Sequence, residues 1–249
     1  MLDFSLPTLL LAAGAFFAGG MIKGALGVGL PLIAVPLLAT AIDLPTAVAL
    51  MIVPITSSNF VQSLQGGHVG PAVRRYWLIL IPLVLGALIS AQFLAEIDFR
   101  TGALFLGAIV IAFAAVQALP LQISIAPERV RFLNPLMGAI GGLIGGVSNL
   151  FGLPLIMYLI ALRLPKDEFV ATVALFFLTG SVTLYAVLFF NGLLSLEIVG
   201  LSAAGAIPMG AGLFIGGRLR SRIEQKTFER LLLVVLFLIG INLVRRGLM

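Results

Sequence analysis

Acid–base and metal chemistry need clustered His, Cys, Asp or Glu side chains, and this sequence has one histidine, His68, and no cysteine. Its acidic residues, from Asp3 through Asp98 and Glu128 to Glu229, fall at the edges of apolar stretches. No catalytic residue, metal ligand or cofactor is therefore expected, and an intramembrane transferase or protease fares badly. The chemistry on offer lies in the backbone. Gly29-Leu30-Pro31-Leu32-Ile33 recurs 123 residues later as Gly152-Leu153-Pro154-Leu155-Ile156. Proline is favoured in the first turn of a helix, where its missing N–H would have no partner, and the preceding glycine permits a close approach. Each copy thus reads as a helix start with free N–H donors. Such a terminus carries about half a positive charge and suits a carboxylate, sulfonate or other oxyanion. The plain alternative is that Gly and Pro merely kink packed helices; the duplication favours a site.

Polar residues accompany both copies. Thr56, Ser57, Ser58, Asn59 and Gln62 lie in the next apolar stretch of the first half, and Thr179, Ser181, Thr183 and Tyr185 occupy the matching place in the second. Thr56, Asn59 and Ser63 share a helical face by their spacing of three and four. A single hydroxyl in a membrane helix usually bonds to backbone, but a cluster containing Asn and Gln suggests a lined pathway. Lys23 is the basic residue of the first broken region. It either neutralises an anion or snorkels to the surface. Its counterpart is Gly146, with Ser148 and Asn149 supplying polar groups nearby. The expected binding set is Lys23, Gly27, Gly29, Leu30, Thr56, Asn59, Ser148, Asn149, Gly152, Leu153, Thr179 and Ser181, forming an oxyanion site near mid-membrane.

The elements that must hold these residues follow from composition. Of 249 residues, 61% are hydrophobic and only 10% charged, which excludes a soluble fold. Stretches such as Thr101 to Pro127 and Phe132 to Leu162 contain no charge over a full bilayer crossing, so the chain is an all-α polytopic membrane protein. The net charge of +5 reads as a topology signal, not as a nucleic-acid footprint. The first 22 residues resemble a signal peptide, yet their early charge is Asp3, and they belong to the repeat, so they count as structure.

That repeat extends along the chain. Thr56 and Ser58 match Thr179 and Ser181 at the same offset; Ile81-Pro82 and Gly86 match Ile207-Pro208 and Gly212, and Ile97-Asp98-Phe99-Arg100 is echoed by Ile223-Glu224-Gln225-Lys226. Residues 1–120 form the first membrane repeat and 121–249 the second, joined by a linker from Leu119 to Arg131. Each half begins with a pair of short glycine- and proline-broken helices, 6–22 with 30–41 and 132–146 with 154–162, with Gly24, Gly27, Gly29 and Pro31 interrupting the first. Spans near 44–65, 72–95 and 101–119 follow, and then 167–190, 196–217 and 228–244 in the second half. Five segments per half, an odd number, make the repeats inverted. This count puts Arg74, Arg75, Arg129, Arg131, Arg163, Lys166 and the basic residues from Arg218 to Arg230 on one side, against Arg100, Arg245 and Arg246 on the other. Four per half would divide them far less cleanly, so the positive-inside rule favours five and places both termini outside the cytoplasm. Arg74, Arg75, Tyr76 and Trp77 read as an interface anchor. Gly212 with Gly216, and Gly86 with Ser90, have the spacing of close helix contacts.

The segment Lys23-Gly24-Ala25-Leu26-Gly27-Val28-Gly29-Leu30-Pro31, its echo from Gly141-Gly142-Leu143-Ile144-Gly145-Gly146 through Gly152-Leu153-Pro154, and the overall length resemble the TauE/SafE sulfite exporter family. The resemblance covers nearly the whole chain. It implies an anion transporter of the bacterial inner membrane, within a wider set that handles sulfite and organosulfonates such as sulfoacetate and toluenesulfonate. Val28 and Leu30 separate the glycines and proline here, where members commonly show adjacent glycines, a departure that would narrow the substrate range.

The leading expectation is a secondary transporter exporting a small oxyanion by alternating access. The alternatives are a passive anion channel, or an importer of a small carboxylate or sulfonate coupled to an ion. No nucleotide motif is present, so ATP is not the expected direct energy source. The expected partners are a small anionic substrate and the lipid bilayer, with no nucleic acid; assembly as a homo-oligomer is left open.

Overall fold

The structure, a computed structural model, describes residues 5–27, 29–64, 69–119, 125, 127–219 and 225–249. His68 and Val28 lie outside the described residues. The described chain is helical throughout, in the order α1 (Leu6–Leu26), α2 (Leu30–Leu38), α3 (Leu44–Ala49), α4 (Ile52–Leu64), α5 (Val69–Glu96), α6 (Phe99–Ala118), α7 (Pro127–Ser148), α8 (Gly152–Ala161), α9 (Lys166–Phe190), α10 (Leu196–Leu219) and α11 (Gln225–Leu248). Among the described residues eight stretches are long and apolar enough to cross a membrane, with α3 and α4 together making one of them. At 1.5 Å rise per residue, α2 and α8, with 9 and 10 residues, reach only about half of a hydrocarbon core.

The helices gather into two compact units, each drawing on both halves of the sequence. Unit 1 holds Met1–Pro54, Ile97–Pro120 and Leu196–Met249; unit 2 holds Ile55–Glu96 and Leu121–Ser195. In unit 1, α1 and α10 run parallel and nearly touch at the backbone. A Cβ at Gly20 would strike the Met209 carbonyl, one at Gly24 the Leu213 carbonyl, and one at Gly212 the Phe17 carbonyl. Gly24 therefore does not interrupt α1 as expected. It lies inside the helix and serves the close crossing, so the break falls later, at Gly27 and Gly29. Helix α2 returns alongside α1, with Gly29 against Ile22 and Leu30 and Ala34 against Gly19.

Unit 2 repeats this construction. Gly138, Gly142 and Gly146 set α7 against the backbone of Ile79, Leu83 and Ala87, so α5 and α7 are parallel, and Ser90 Oγ donates to the Gly142 carbonyl at 3.1 Å. Helix α8 returns along α7, with Phe151 over Gly145 and Leu155 over Gly141. Helix α9 again runs with α5: Arg75 pairs with Glu168 at 2.8 Å near their starts, and Asn191 Nδ2 donates to Gln92 Oε1 at 3.1 Å near their ends. Tyr76, expected at the interface, is instead buried edge-on against Phe176, at a non-helical residue within α5 (φ −112°). Trp77 remains half exposed, in keeping with an anchor.

Two more features of unit 1 bear on the membrane path. Helices α6 and α11 are antiparallel: Gly107 meets Gly240 and Val244, while Gly247 meets Leu104 and Arg100. At one end of the unit Arg100 donates to the Met249 carbonyl and Arg246 to the Thr40 carbonyl. The start of α6, the end of α11 and the turn after α2 thus share that end. Asp43 caps α3 through the Thr46 N–H at 2.8 Å. Asp98 caps α6, and bonding from Thr101 holds its carboxyl below the usual carboxylate range.

Candidate functional site

In unit 1 the break between α1 and α2 is built from two left-handed glycines. Gly27 ends α1 at φ +85°, donating to the Lys23 carbonyl at 2.7 Å, and Gly29 precedes α2 at φ +104°. Side chains other than glycine are strained there, which explains why the sequence spends two glycines on one turn. No side chain caps α2, and Pro31 occupies its first turn, as the Gly-Leu-Pro pattern predicts. Leu30 is fully buried. Lys23 sits in the last turn of α1, where the C-terminal carbonyls favour a cation, and is only 7% exposed. It is held in the interior, not extended to the surface.

In unit 2 the break is made differently. Asn149, at φ +61°, takes the left-handed position that glycine holds in unit 1, a conformation asparagine tolerates better than most residues. Its N–H donates to the Gly145 carbonyl at 2.6 Å. Ser148 is consumed locally: its hydroxyl donates to the Ile144 carbonyl at 2.7 Å and accepts the Leu150 N–H at 3.2 Å. Phe151 then wedges its ring into spaces left by Gly145 and Gly180, and Phe177 lies edge-on to it and against Gly152, where a Cβ would collide with the ring. Gly152 is glycine because Phe177 takes the room. No side chain caps the start of α8, and the N–H of its first residue, Gly152, lacks an intrahelical partner.

The remaining predicted residues also belong to unit 2. On α4, Asn59 and Ser63 are buried and Ser57 is exposed, so the face drawn through Thr56, Asn59 and Ser63 is the inward one. Thr56 Oγ1 is buried without a hydrogen-bond partner. On α9, Ser181 is buried but bonds back to the Leu178 carbonyl at 3.2 Å, and Thr183 bonds to the Thr179 carbonyl at 2.9 Å. These two hydroxyls satisfy their own helix, as isolated hydroxyls in membrane helices commonly do.

The sequence did not announce two polar pairs of unit 2. Asn149 Nδ2 lies 2.7 Å from Tyr185 Oη, and Tyr158 donates to Asn134 Oδ1; all four residues are buried. Tyr185 was legible only as a mid-span polar residue; nothing in the sequence paired it with Asn149. In unit 1, an apolar cleft of about 180 Å³ between α1 and α10, lined by residues such as Phe16, Leu201 and Pro208, contains none of the predicted binding residues.

With eight apolar spans among the described residues, and two short helices that return inside their own units after a left-handed break in the backbone, the chain is a multi-pass helical membrane protein. The model of the sulfite exporter TauE/SafE family matches residues 11–243, and the chain belongs to that family, a family of membrane transporters for sulfur-containing anions. No curated protein and no solved structure matches the chain.

Proposed function

We propose that this protein exports a small oxyanion, sulfite or an organosulfonate such as sulfoacetate, across the bacterial inner membrane by alternating access. The observation that carries this reading is the pair of short helices, α2 and α8, each starting at a break without a side-chain cap. Each offers backbone donors and a positive helix end inside a membrane protein, where an unpaired N–H is otherwise costly. In unit 1 the anion-binding groups are Lys23, Gly27, Gly29 and Leu30; in unit 2 they are Thr56, Asn59, Ser148, Asn149, Gly152, Leu153, Thr179 and Ser181. Ser148 and Ser181 contribute through the shape of their helix turns, since their hydroxyl protons are already used.

The inversion of the two repeats is supported by directions inside each unit. Helices α6 and α11, counterparts at the ends of the halves, are antiparallel. Helices α7 and α9 both run with α5, so α8 carries the chain back between them and counts as a segment of its own. Five segments per half satisfy both relations; four per half satisfy neither.

Export needs no coupled ion, because a membrane potential is worth about 2.3 kcal/mol per charge per 100 mV and an interior-negative cell drives anions outward. In proteoliposomes loaded with sulfite or sulfoacetate, an imposed interior-negative potential accelerates efflux at fixed pH without sodium. Efflux that ignores voltage, or that requires a proton or sodium gradient, removes uncoupled export. Absence of saturable counterflow would make the protein a channel.

A further inference from the structure

The break between α7 and α8 holds a mismatch of hydrogen-bonding groups. Asn149 is fully buried; its amide nitrogen faces Tyr185 Oη at 2.7 Å while its Oδ1 has no partner. In that orientation the phenol accepts a bond, and among the described residues no acceptor takes its proton. Turning the carboxamide by 180° exchanges the two ends. Tyr185 then donates to Oδ1, both of those groups are satisfied, and only the amide NH2 is left open, in the turn that leads into the uncapped start of α8. One orientation leaves an acceptor, a phenol proton and one amide N–H unmatched; the other leaves only the two N–H donors of the amide, which an anion would fill.

We propose that Tyr185 is a positioning residue: by donating to Asn149 Oδ1 it holds the Asn149 amide as an anion donor beside the free N–H of Gly152 at the start of α8. This rests on the oxyanion reading of the helix breaks and deepens it. In this cradle the Ser148 proton is spent on Ile144 and the Tyr185 proton on Asn149, so the donors left for a ligand are the Asn149 amide and the Gly152 N–H. These donors favour ligands rich in acceptors, such as the three oxygens of a sulfonate or of sulfite. A left-handed asparagine suits the task, because it places a short, fixed carboxamide where the glycines of unit 1 have no side chain.

The test uses the full-length protein and sulfite as the probe, with binding measured by calorimetry and uptake kinetics in proteoliposomes. Tyr185→Phe raises Kd and KM about tenfold while the maximal rate stays within about twofold, as expected for one misdirected hydrogen bond. Asn149→Ala weakens binding at least as much, and adding Tyr185→Phe to it has no further effect. Asn149→Asp keeps the size and the acceptor for Tyr185 but puts a carboxylate oxygen in place of the open donor; it abolishes sulfite binding with a Tm close to wild type. An equal effect of Tyr185→Phe with and without Asn149, or an Asn149→Asp protein that binds sulfite normally, overturns the proposal. A wild-type protein that binds neither sulfite nor sulfoacetate overturns the oxyanion reading beneath it.

Discussion

Glycine has three different uses in this chain, and substitutions tell them apart. Gly212 in α10 approaches the Phe17 carbonyl of α1 so closely that a methyl group would strike backbone, which cannot rotate away. Gly210, two residues earlier in the same helix, faces open space. Gly212→Ala is expected to lose about 1–3 kcal/mol by forcing the helices apart, whereas Gly210→Ala gains up to about 1 kcal/mol from reduced backbone entropy. Thermal unfolding in detergent reads both signs, and equal effects would deny the close crossing. Gly29 is the third kind. Its φ of +104° penalises any side chain, and a Cβ would also press on Ile22 at 3.2 Å. Gly29→Ala should lower transport more than it lowers the yield of folded protein, measured as efflux per purified molecule.

At the scale of elements, the joint between α3 and α4 shows a membrane span repaired from outside itself. Pro54 has no N–H, so the Leu50 carbonyl four residues back has no helical partner. Ser202 on α10 fills the gap: its hydroxyl donates to the Leu50 carbonyl at 2.7 Å and accepts the Val53 N–H at 3.0 Å, fully buried. Removing it leaves a buried carbonyl unsatisfied, a cost of about 1–3 kcal/mol. Ser202→Ala should therefore lower the thermal midpoint, and Pro54→Ala in the same protein should restore much of the loss by returning an N–H to the ladder. A double variant no more stable than Ser202→Ala alone would show that the hydroxyl matters for another reason. In the same way α2 and α8 owe their position to the packing of Leu30 on Gly19 and of Phe151 on Gly145, not to intrinsic helix strength at 9 and 10 residues.

For the whole molecule, the prediction with the widest reach concerns sidedness. The bonds from Arg100 to Met249 and from Arg246 to Thr40 put the chain's C-terminus at the same end of unit 1 as the turn after α2. The count of five segments per half assigns most basic residues to loops on the opposite side, so that end is expected to face away from the cytoplasm. A reporter active only in the cytoplasm should be silent when fused at Met249 and active when inserted between Arg218 and Arg230. A cytoplasmic Met249 would overturn the five-plus-five plan along with the inversion.

Much of this was legible without coordinates. Apolar stretches of bilayer length define the spans, because a helix is the ordinary way to satisfy a lone backbone in lipid. The duplicated Gly-Leu-Pro located both helix starts, because proline and glycine act through local dihedral angles that do not depend on distant neighbours. Tertiary structure decided which glycines break and which pack. Gly24 and Gly27 look alike in the sequence, yet one lies against Leu213 inside a helix and the other ends it in the left-handed region. Partners across helices were equally hidden: the meeting of Asn149 with Tyr185, and of Ser202 with Leu50, depends on how helices far apart in sequence come together. Local preference is written residue by residue, but which buried polar groups satisfy one another is settled only when the helices pack.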